Sequence, residues 1–575
     1  MPQLSGKEGL FFLIGFGLLN AVVFTFIGMS LTFIAGFTLT SWHFPSAVLI
    51  SLGVNYYAAR FFLGSHYRPA WIKSTWIILI VIIVSILFSL LFYDISFDGQ
   101  MYHIDSAFYL KNGWNPFKKE LSPGINQALW LNHYGKGVEA PEGAVYALTN
   151  RIETTKSTNF ILLAASFCLS LSFLLRLNRF SFRKNLLFSF LLSFNPIVIY
   201  LLLTTYVDGQ LASCLLCLLV AGCLLYRDAN RFYLILLAMI LIVVLNIKFS
   251  SVVFAAIFSA GLLLALIVSG QKKSSKKVFL VCALAAGFGI AVAGYFPYIT
   301  NTIHDHDPLY PGLPMLQSEA AKLAPESFAH MNRFSRFFVS FFSHTDDLHI
   351  YRDKNPQIPA KIPFGFNRTD IYNALKPIVS HMAGFGPFFS GICIMAFIFF
   401  TITAWRLPDK KQLVPVILLL GTLTCSVFII SEAWYARYVP QLWFIPVIAL
   451  IVSEYYQPAR FRKLRNLLYL VALIDLSFAF ASFPYIYYQS AKIDYELAQL
   501  KASGQTIPVQ FTYFVSNRIR FSEKQIPFQE TKIPENKGVY MLSSSTRYIP
   551  PEPMPDLPKP WILRLGEKIE RQIHP

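Results

Sequence analysis

The chain has 575 residues, of which 55% are hydrophobic, 16% are aromatic and only 14% are charged, and its formal net charge is +18. A soluble protein of this length would carry a much larger charged fraction, so the composition predicts an all-α polytopic membrane protein. A basic chain could also bind nucleic acid, but these cations flank hydrophobic segments, where anionic lipid headgroups meet them. We therefore expect membrane lipids and no nucleic acid as partners.

Hydrophobic segments recur along the chain, and their lengths predict about thirteen transmembrane helices, because about 20 apolar residues cross a bilayer core. The predicted spans are residues 10–39, 45–63, 74–92, 158–177, 185–204, 207–226, 232–247, 249–268, 278–299, 384–404, 413–431, 438–453 and 466–489. Two of them lie in an N-terminal segment, 1–73, and four lie in a C-terminal segment, 384–489.

Every second connection between these spans is basic, as in the stretches 176–184 and 272–277. Because Lys and Arg in short loops are retained in the cytoplasm, the alternation predicts a multi-pass protein of the plasma (inner) membrane with a cytoplasmic N-terminus and an extracytoplasmic C-terminus. Three polar segments would then lie outside: a first loop (93–157), a second loop (313–383) and a small C-terminal α/β domain (490–575).

The first loop begins with a cluster of polar side chains. Asp94, Asp98 and Tyr102 are spaced four residues apart, so they share one face if the segment is helical, and a carboxylate buried there suits a general base. His103 adjoins them as a further candidate for binding a substrate or a metal. The alternative is a solvated loop in which Asp98 and Gly99 form a turn.

Three further candidates lie in short connections between predicted spans. Asp208 is interpreted as a site residue, with a helix N-cap as the alternative. Lys248 and Arg437 break the alternation of charge, and both suit a phosphate held at the outer leaflet. The alternatives are extension of Lys248 into ordinary lipid headgroups and an ion pair between Arg437 and Glu432.

The segment from Asn301 to Pro311 contains His304 and His306, which together with two aspartates could bind a divalent metal. Adjacent residues on a proline-containing turn usually point apart, which argues against such a site. We therefore assign no cofactor from the sequence, and a divalent metal stays the alternative.

In chain order, these features resemble the GT-C superfamily of membrane glycosyltransferases, particularly bacterial aminoarabinose and mannose transferases that use polyprenyl-phosphate sugars. In that superfamily an Asp-Glu motif, with a tyrosine four residues on, follows the first helix of a seven-helix module. Asp98 and Tyr102 fit that place, with Gly99 instead of the glutamate. The other positions that match the superfamily pattern are Asp208, Lys248 and the segment from Asn301 to Pro311, in which Asp307 replaces a glycine. The resemblance covers roughly residues 74–312.

The resemblance implies an inverting glycosyltransferase that moves a sugar from a polyprenyl-phosphate donor to an extracytoplasmic lipid, glycan or protein. Asp98 would take the proton from the acceptor hydroxyl. The predicted substrate-binding residues are Asp94, Tyr102, His103, Asp208, Lys248 and Arg437. A transporter or flippase for a lipid-linked saccharide, a polysaccharide polymerase or ligase, and a noncatalytic envelope subunit stay as alternatives.

Overall fold

The computed structural model describes residues 4–312, 324–345, 358, 360–376, 382–457, 459–514, 516–534, 536–553 and 557–573. Over these residues the protein is mainly helical, and nine helical stretches are long and apolar enough to cross a membrane. These stretches are Gly6–Ile34, His43–Ser89, Ile152–Leu177, Val207–Arg227, Phe249–Val268, Lys272–Ala293, Phe389–Arg406, Lys410–Phe428 and Arg462–Ala502. The chain thus has the helices of a multi-pass membrane protein.

The α-helices are α1 (Gly6–Ile34), α2 (His43–Leu63), α3 (Tyr67–Ser89), α4 (Ile104–Lys111), α5 (Ala128–His133), α6 (Glu139–Thr149), α7 (Ser157–Leu177), α8 (Phe182–Ser193), α9 (Pro196–Leu201), α10 (Val207–Arg227), α11 (Arg231–Leu245), α12 (Phe249–Val268), α13 (Lys272–Phe288), α14 (Thr300–Asp305), α15 (Arg333–Phe341), α16 (Arg368–Ala374), α17 (Phe389–Arg406), α18 (Val414–Phe428), α19 (Phe444–Tyr456), α20 (Arg462–Phe480), α21 (Phe483–Ala502), α22 (Ser516–Glu523) and α23 (Trp561–Ile573). In the described ranges, three π-helices are present, at Gly99–His103, Gly289–Ala293 and Tyr295–Ile299.

Local sequence explains where these stretches differ from the thirteen predicted spans. The predicted span 185–204 is divided into α8 and α9, because Pro196 has no N–H to continue the helix and the Asn195 side chain caps a new one. The predicted spans 232–247 and 438–453 overlap α11 and α19, which have only 15 and 13 helical residues. The number of crossings beyond the nine stretches stays a prediction.

Helix α1 lies at the centre of the bundle and packs against α2, α3, α7 and α11. A helix with apolar residues on all of its faces is usually buried on most of those faces. Most residues of α1 are indeed buried. Gly15 allows α7 to approach closely, since a Cβ atom there would lie 2.8 Å from the Ala165 carbonyl oxygen. By contrast, most residues of α12 and α13 are not fully buried within the protein, as is usual for helices that face lipid.

The C-terminal part forms a small domain with a four-stranded sheet in the order β2-β1-β4-β3. The strands are β1 (Ile507–Gln510), β2 (Phe528–Glu530), β3 (Val539–Tyr540) and β4 (Arg547–Tyr548). β1 runs parallel to β2 and antiparallel to β4, which also pairs with β3. Ile507 and Val509 of β1 pack with Leu497 and Leu500 of α21, so the domain is built onto the end of that helix. The predicted strand-containing C-terminal domain is confirmed.

Candidate functional site

Asp98 lies where the chain leaves α3 and begins a helical turn that continues as the π-helix Gly99–His103. Its Oδ2 atom accepts a hydrogen bond from Arg437 Nη2 at 3.3 Å, and its backbone N–H donates to the Tyr206 hydroxyl at 3.2 Å. The Asp98 side chain remains 22% exposed, whereas that of Arg437 is 8% exposed. The site therefore contains a reachable carboxylate anchored to a buried cation.

Three tyrosine rings surround Arg437. Its Cζ atom lies 4.6 Å from the ring centroid of Tyr206, 5.2 Å from that of Tyr435 and 5.6 Å from that of Tyr438. Within the described residues, the Nε and Nη1 atoms of this guanidinium have no hydrogen-bond partner. Buried N–H donors normally find an acceptor, so these two atoms are suited to a bound anion.

Glu432 does not pair with Arg437, so that alternative was wrong. Glu432 accepts a hydrogen bond from the Trp434 indole and lies 3.8 Å from the Arg336 guanidinium. The short sequence separation suggested the pair, but Arg437 instead donates to Asp98, which is distant in the sequence.

Asp208 and Lys248 form a second ion pair next to the first. Asp208 lies in the first turn of α10, Lys248 immediately precedes α12, and the Lys248 ammonium donates to Asp208 Oδ1. The Lys248 Nζ atom also lies 5.2 Å from the centroid of Tyr438, the ring that Arg437 contacts. Because Lys248 is only 8% exposed and pairs with Asp208, the alternative, in which it extends into ordinary lipid headgroups, is wrong. Tyr206, and not Asp208, is the N-cap residue of α10.

Asp94 has a different environment from Asp98. The chain is not helical between residues 92 and 96, so the predicted helical face shared by Asp94, Asp98 and Tyr102 is wrong. The buried Asp94 carboxylate instead accepts hydrogen bonds from the Thr205 N–H and hydroxyl, both at 2.7 Å, and from the Ser96 N–H at 2.8 Å. Asp94 thus fixes the start of the first loop against the turn that precedes α10.

Gly99 is required by this arrangement. A Cβ atom at this position would overlap Asp94 Oδ2 and Ser96 Oγ. The glutamate of the motif that the sequence resembles would therefore displace Asp94 here.

We expect Gly99→Ala to destabilise the protein by about 1–3 kcal/mol, because the added methyl group forces the Asp94 carboxylate from its partners. Unfolding in mixed detergent and SDS measures the loss. Gly421→Ala is the matched control, since Gly421 is also helical but has open space at its Cβ position. Equal stability of the two variants would contradict the proposed crowding.

His103 belongs to a buried charge cluster that the sequence did not reveal. Its Nδ1 atom lies 2.7 Å from Glu139 Oε1, and Glu139 Oε2 accepts hydrogen bonds from Ser106 Oγ and Lys136 Nζ, both at 2.5 Å. Burial opposes ionisation of Glu139, but Lys136 and the hydrogen bond from His103 outweigh it and lower the pKa of Glu139 to about 2. The only signal in the sequence was the opposite charge of Lys136 and Glu139 three residues apart, just before and at the start of α6.

An aromatic wall, defined as Tyr102, Trp130 and Tyr134, stands beside Asp98. The three ring centroids lie 6.3–6.4 Å apart, and each side chain is half-buried. Burial and the nearby Asp98 carboxylate raise the pKa of the Tyr102 hydroxyl well above its ordinary value, so this hydroxyl stays protonated at neutral pH.

His304 and His306 are exposed at the end of α14. Asp305 between them lies 3.6 Å from His133, a residue of the first loop. Across the described parts of the chain, no group of three or more His, Cys, Asp or Glu side chains could hold a metal ion. The Asn301 side chain donates a hydrogen bond to the Tyr310 carbonyl oxygen at 3.0 Å, which joins the two ends of the segment from Asn301 to Pro311.

Arg520 connects the C-terminal domain to the loop that carries Asp98. This buried side chain donates to Glu153 Oε1 at 2.9 Å and to the Asp94 carbonyl oxygen at 2.8 Å. A second link runs from the Gln100 amide to the Ser543 carbonyl oxygen at 2.9 Å. The C-terminal domain therefore helps to set the position of the π-helix.

Two carboxylates, two cations and an aromatic wall thus meet at one end of the helix bundle, where α3 ends and α10 and α12 begin. Such a set can bind a phosphate ester and accept a proton from a hydroxyl beside it. Comparison of the sequence with protein-family models and with curated proteins finds no match to this chain.

Proposed function

We propose that the protein is an inverting glycosyltransferase with a GT-C-like arrangement of about thirteen transmembrane helices, which moves a sugar from a polyprenyl-phosphate donor to a lipid, glycan or protein. The observation that carries the proposal is the pairing of Asp98 with Arg437 beside the pairing of Asp208 with Lys248, with Tyr438 between the two cations. An ion pair with a purely structural role would not explain why Arg437 Nε and Nη1 have no hydrogen-bond partner among the residues that the structure describes.

In the proposed reaction, Asp98 removes the proton from an acceptor hydroxyl while the hydroxyl oxygen forms a bond to the anomeric carbon. The bond between that carbon and the phosphate oxygen breaks, and the phosphate leaves with the electron pair. Attack occurs on the face opposite the phosphate, so a single carboxylate inverts the configuration. The role of Asp98 is supported by its 22% exposure, which lets a hydroxyl reach it.

The departing phosphate gains negative charge, so cations that hold it stabilise the transition state more than the substrate. Arg437 Nε and Nη1 are free to donate to its oxygens. Lys248 is paired with Asp208, and a second anion would share its ammonium group, which has three donors. A lipid donor suits a site that lies at the ends of membrane helices, where Asp208 begins α10 and Lys248 precedes α12.

The proposal includes the orientation predicted from charge, with the N-terminus in the cytoplasm and the site on the outer side of the plasma membrane. Nucleotide sugars are generally absent there, which favours a lipid-linked donor. Asp94 and His103 would act by holding the loop in place, because their polar atoms are engaged by Thr205 and Glu139. Asp208 would position Lys248.

The first test is native mass spectrometry of the detergent-purified protein, with Lys248→Ala and Arg437→Gln beside the wild type. We expect a copurified polyprenyl phosphate, with or without a sugar, whose occupancy falls by at least about tenfold in both variants, since each removes a charged hydrogen-bond donor. Lys276→Ala, which removes an exposed lysine, is the control. Bulk phospholipid alone in all four proteins would contradict the donor site and favour a transporter or an assembly subunit.

A further inference from the structure

The three residues of the aromatic wall belong to neither ion pair, so the ion pairs do not explain why these rings lie beside Asp98. Tyr102 lies four residues after Asp98 along the π-helix, and π-helical turns are often found at functional sites. Trp130 lies in α5, and Tyr134 is the residue that follows this helix. The two are one helical turn apart, so both point to the same side. All three rings keep part of their surface accessible.

The wall also lies close to both ion pairs. The Tyr134 ring centroid lies 6.5 Å from that of Phe249, the residue that follows Lys248. The Tyr102 ring centroid lies 4.3 Å from that of His103. The His103 ring in turn lies 6.1 Å from the Tyr206 ring, which Arg437 contacts. A ligand whose phosphate is bound by Arg437 and Lys248 would therefore place its next group against these rings. In a polyprenyl-phosphate sugar, that group is the sugar ring on one side and the lipid chain on the other.

The chemistry of the wall distinguishes the two. A pyranose ring has a face of polarised C–H groups and a rim of hydroxyls, and the C–H face packs on the electron-rich face of an aromatic ring. The rim can then reach tyrosine hydroxyls, which both Tyr102 and Tyr134 supply. An isoprenoid chain cannot form hydrogen bonds with these hydroxyls, and it packs better against the apolar surfaces of the surrounding helices.

We infer that Tyr102, Trp130 and Tyr134 form the sugar subsite, which stacks a pyranose ring by its C–H face while the ion pairs bind the phosphate. This inference rests on the proposed function, because it assigns one part of the same donor. It predicts that the wall contributes to binding of a glycosylated lipid but not to binding of the bare lipid phosphate.

The test measures binding of a polyprenyl phosphate and of the same lipid carrying glucose, mannose or arabinose, by native mass spectrometry of the full chain. For the wild type, we expect at least one glycolipid to bind about tenfold more tightly than the bare lipid. Trp130→Leu, which keeps apolar volume but removes the ring, should abolish that gain and leave bare-lipid affinity within about twofold. Trp130→Phe should keep most of the gain.

Trp561→Leu is the matched control, since Trp561 is 69% exposed on α23, and it should bind every lipid as the wild type does. If Trp130→Leu keeps the full gain, or if no glycolipid binds the wild type better than the bare lipid, the sugar subsite is overturned while the phosphate site stands. If none of the lipids binds the wild type, the proposed function itself fails. Tyr102→Leu replaces Trp130→Leu in the comparison if the latter loses bare-lipid binding.

Discussion

Replacing Asp98 by asparagine is expected to slow sugar transfer by about a thousandfold while the donor lipid still binds. Asparagine has the same shape, and its amide oxygen can accept the hydrogen bond that Arg437 donates. It cannot accept a proton at neutral pH, and a positioned general base typically contributes about 10²–10⁴ in rate. The loss should appear in the rate of a single turnover and not in lipid occupancy.

The measurement uses proteoliposomes loaded with a panel of polyprenyl-phosphate sugars and an extract of envelope lipids and glycans as acceptors. Asp409→Asn is the control, because Asp409 lies in an exposed connection before α18, where its side chain caps a short turn. Full transfer by a correctly folded Asp98→Asn protein would exclude Asp98 as the base.

The product of this assay separates the alternative functions. One added sugar supports a transferase, and addition of a whole glycan block supports a polymerase or ligase. Movement of the lipid-linked sugar across the membrane without formation of a new glycosidic bond would support a transporter. Asp98→Asn should affect only the reactions in which a hydroxyl loses its proton.

The sequence identified the charged residues of the site through their unusual places. Lys248 and Arg437 stood out because cations are rare in the short connections on one side of the membrane, and Asp98 stood out because carboxylates cluster where α3 ends. These signals are local and therefore readable from the chain. The partners of each residue were not predictable, because Asp98 and Arg437 are separated by 339 positions and Asp208 and Lys248 by 40.

Two errors in the site have physical causes. A spacing of four residues is typical of a helix, but Asp94 precedes the helical turn and is held outside it by hydrogen bonds from Ser96 and Thr205. Glu139 was missed because charged residues within a polar loop usually face water. Only the folded loop shows that α6 packs against α1 and α4, which buries this carboxylate and its partners.

The fold likewise has features that could be predicted from the sequence and features that could not. Apolar length predicted the membrane helices, since the bilayer imposes that length on every crossing. The short lengths of α9, α11 and α19 were harder to predict, because apolar composition alone does not show where a helix is interrupted. The hydrogen bond from Arg520 to the Asp98 loop joins segments more than 400 residues apart, and no feature of either segment predicts this contact.

The buried cluster around Glu139 predicts the largest effect on stability. Glu139→Gln should destabilise the protein by about 3–5 kcal/mol, because the neutral amide leaves the buried Lys136 ammonium without its counter-charge. Unfolding in mixed detergent and SDS measures this change. Since the folded pKa of Glu139 is about 2 and its ordinary value is 4.5, the ionised form contributes stability that is fully present above pH 4.5 and is lost as the pH falls towards 2.

Glu142, one helical turn after Glu139, is the matched control. It is equally buried, but its partners are the neutral side chains of Gln210 and Thr158, and burial raises its pKa well above the ordinary value. A carboxyl group with a raised pKa favours folding below its ordinary pKa and loses that contribution as the pH rises. Glu142→Gln removes the cost of holding this carboxyl group buried at neutral pH, so it should leave stability at neutral pH unchanged or raise it. Equal losses in the two variants would show that volume and hydrogen bonding, and not the charge of Glu139, hold this cluster together.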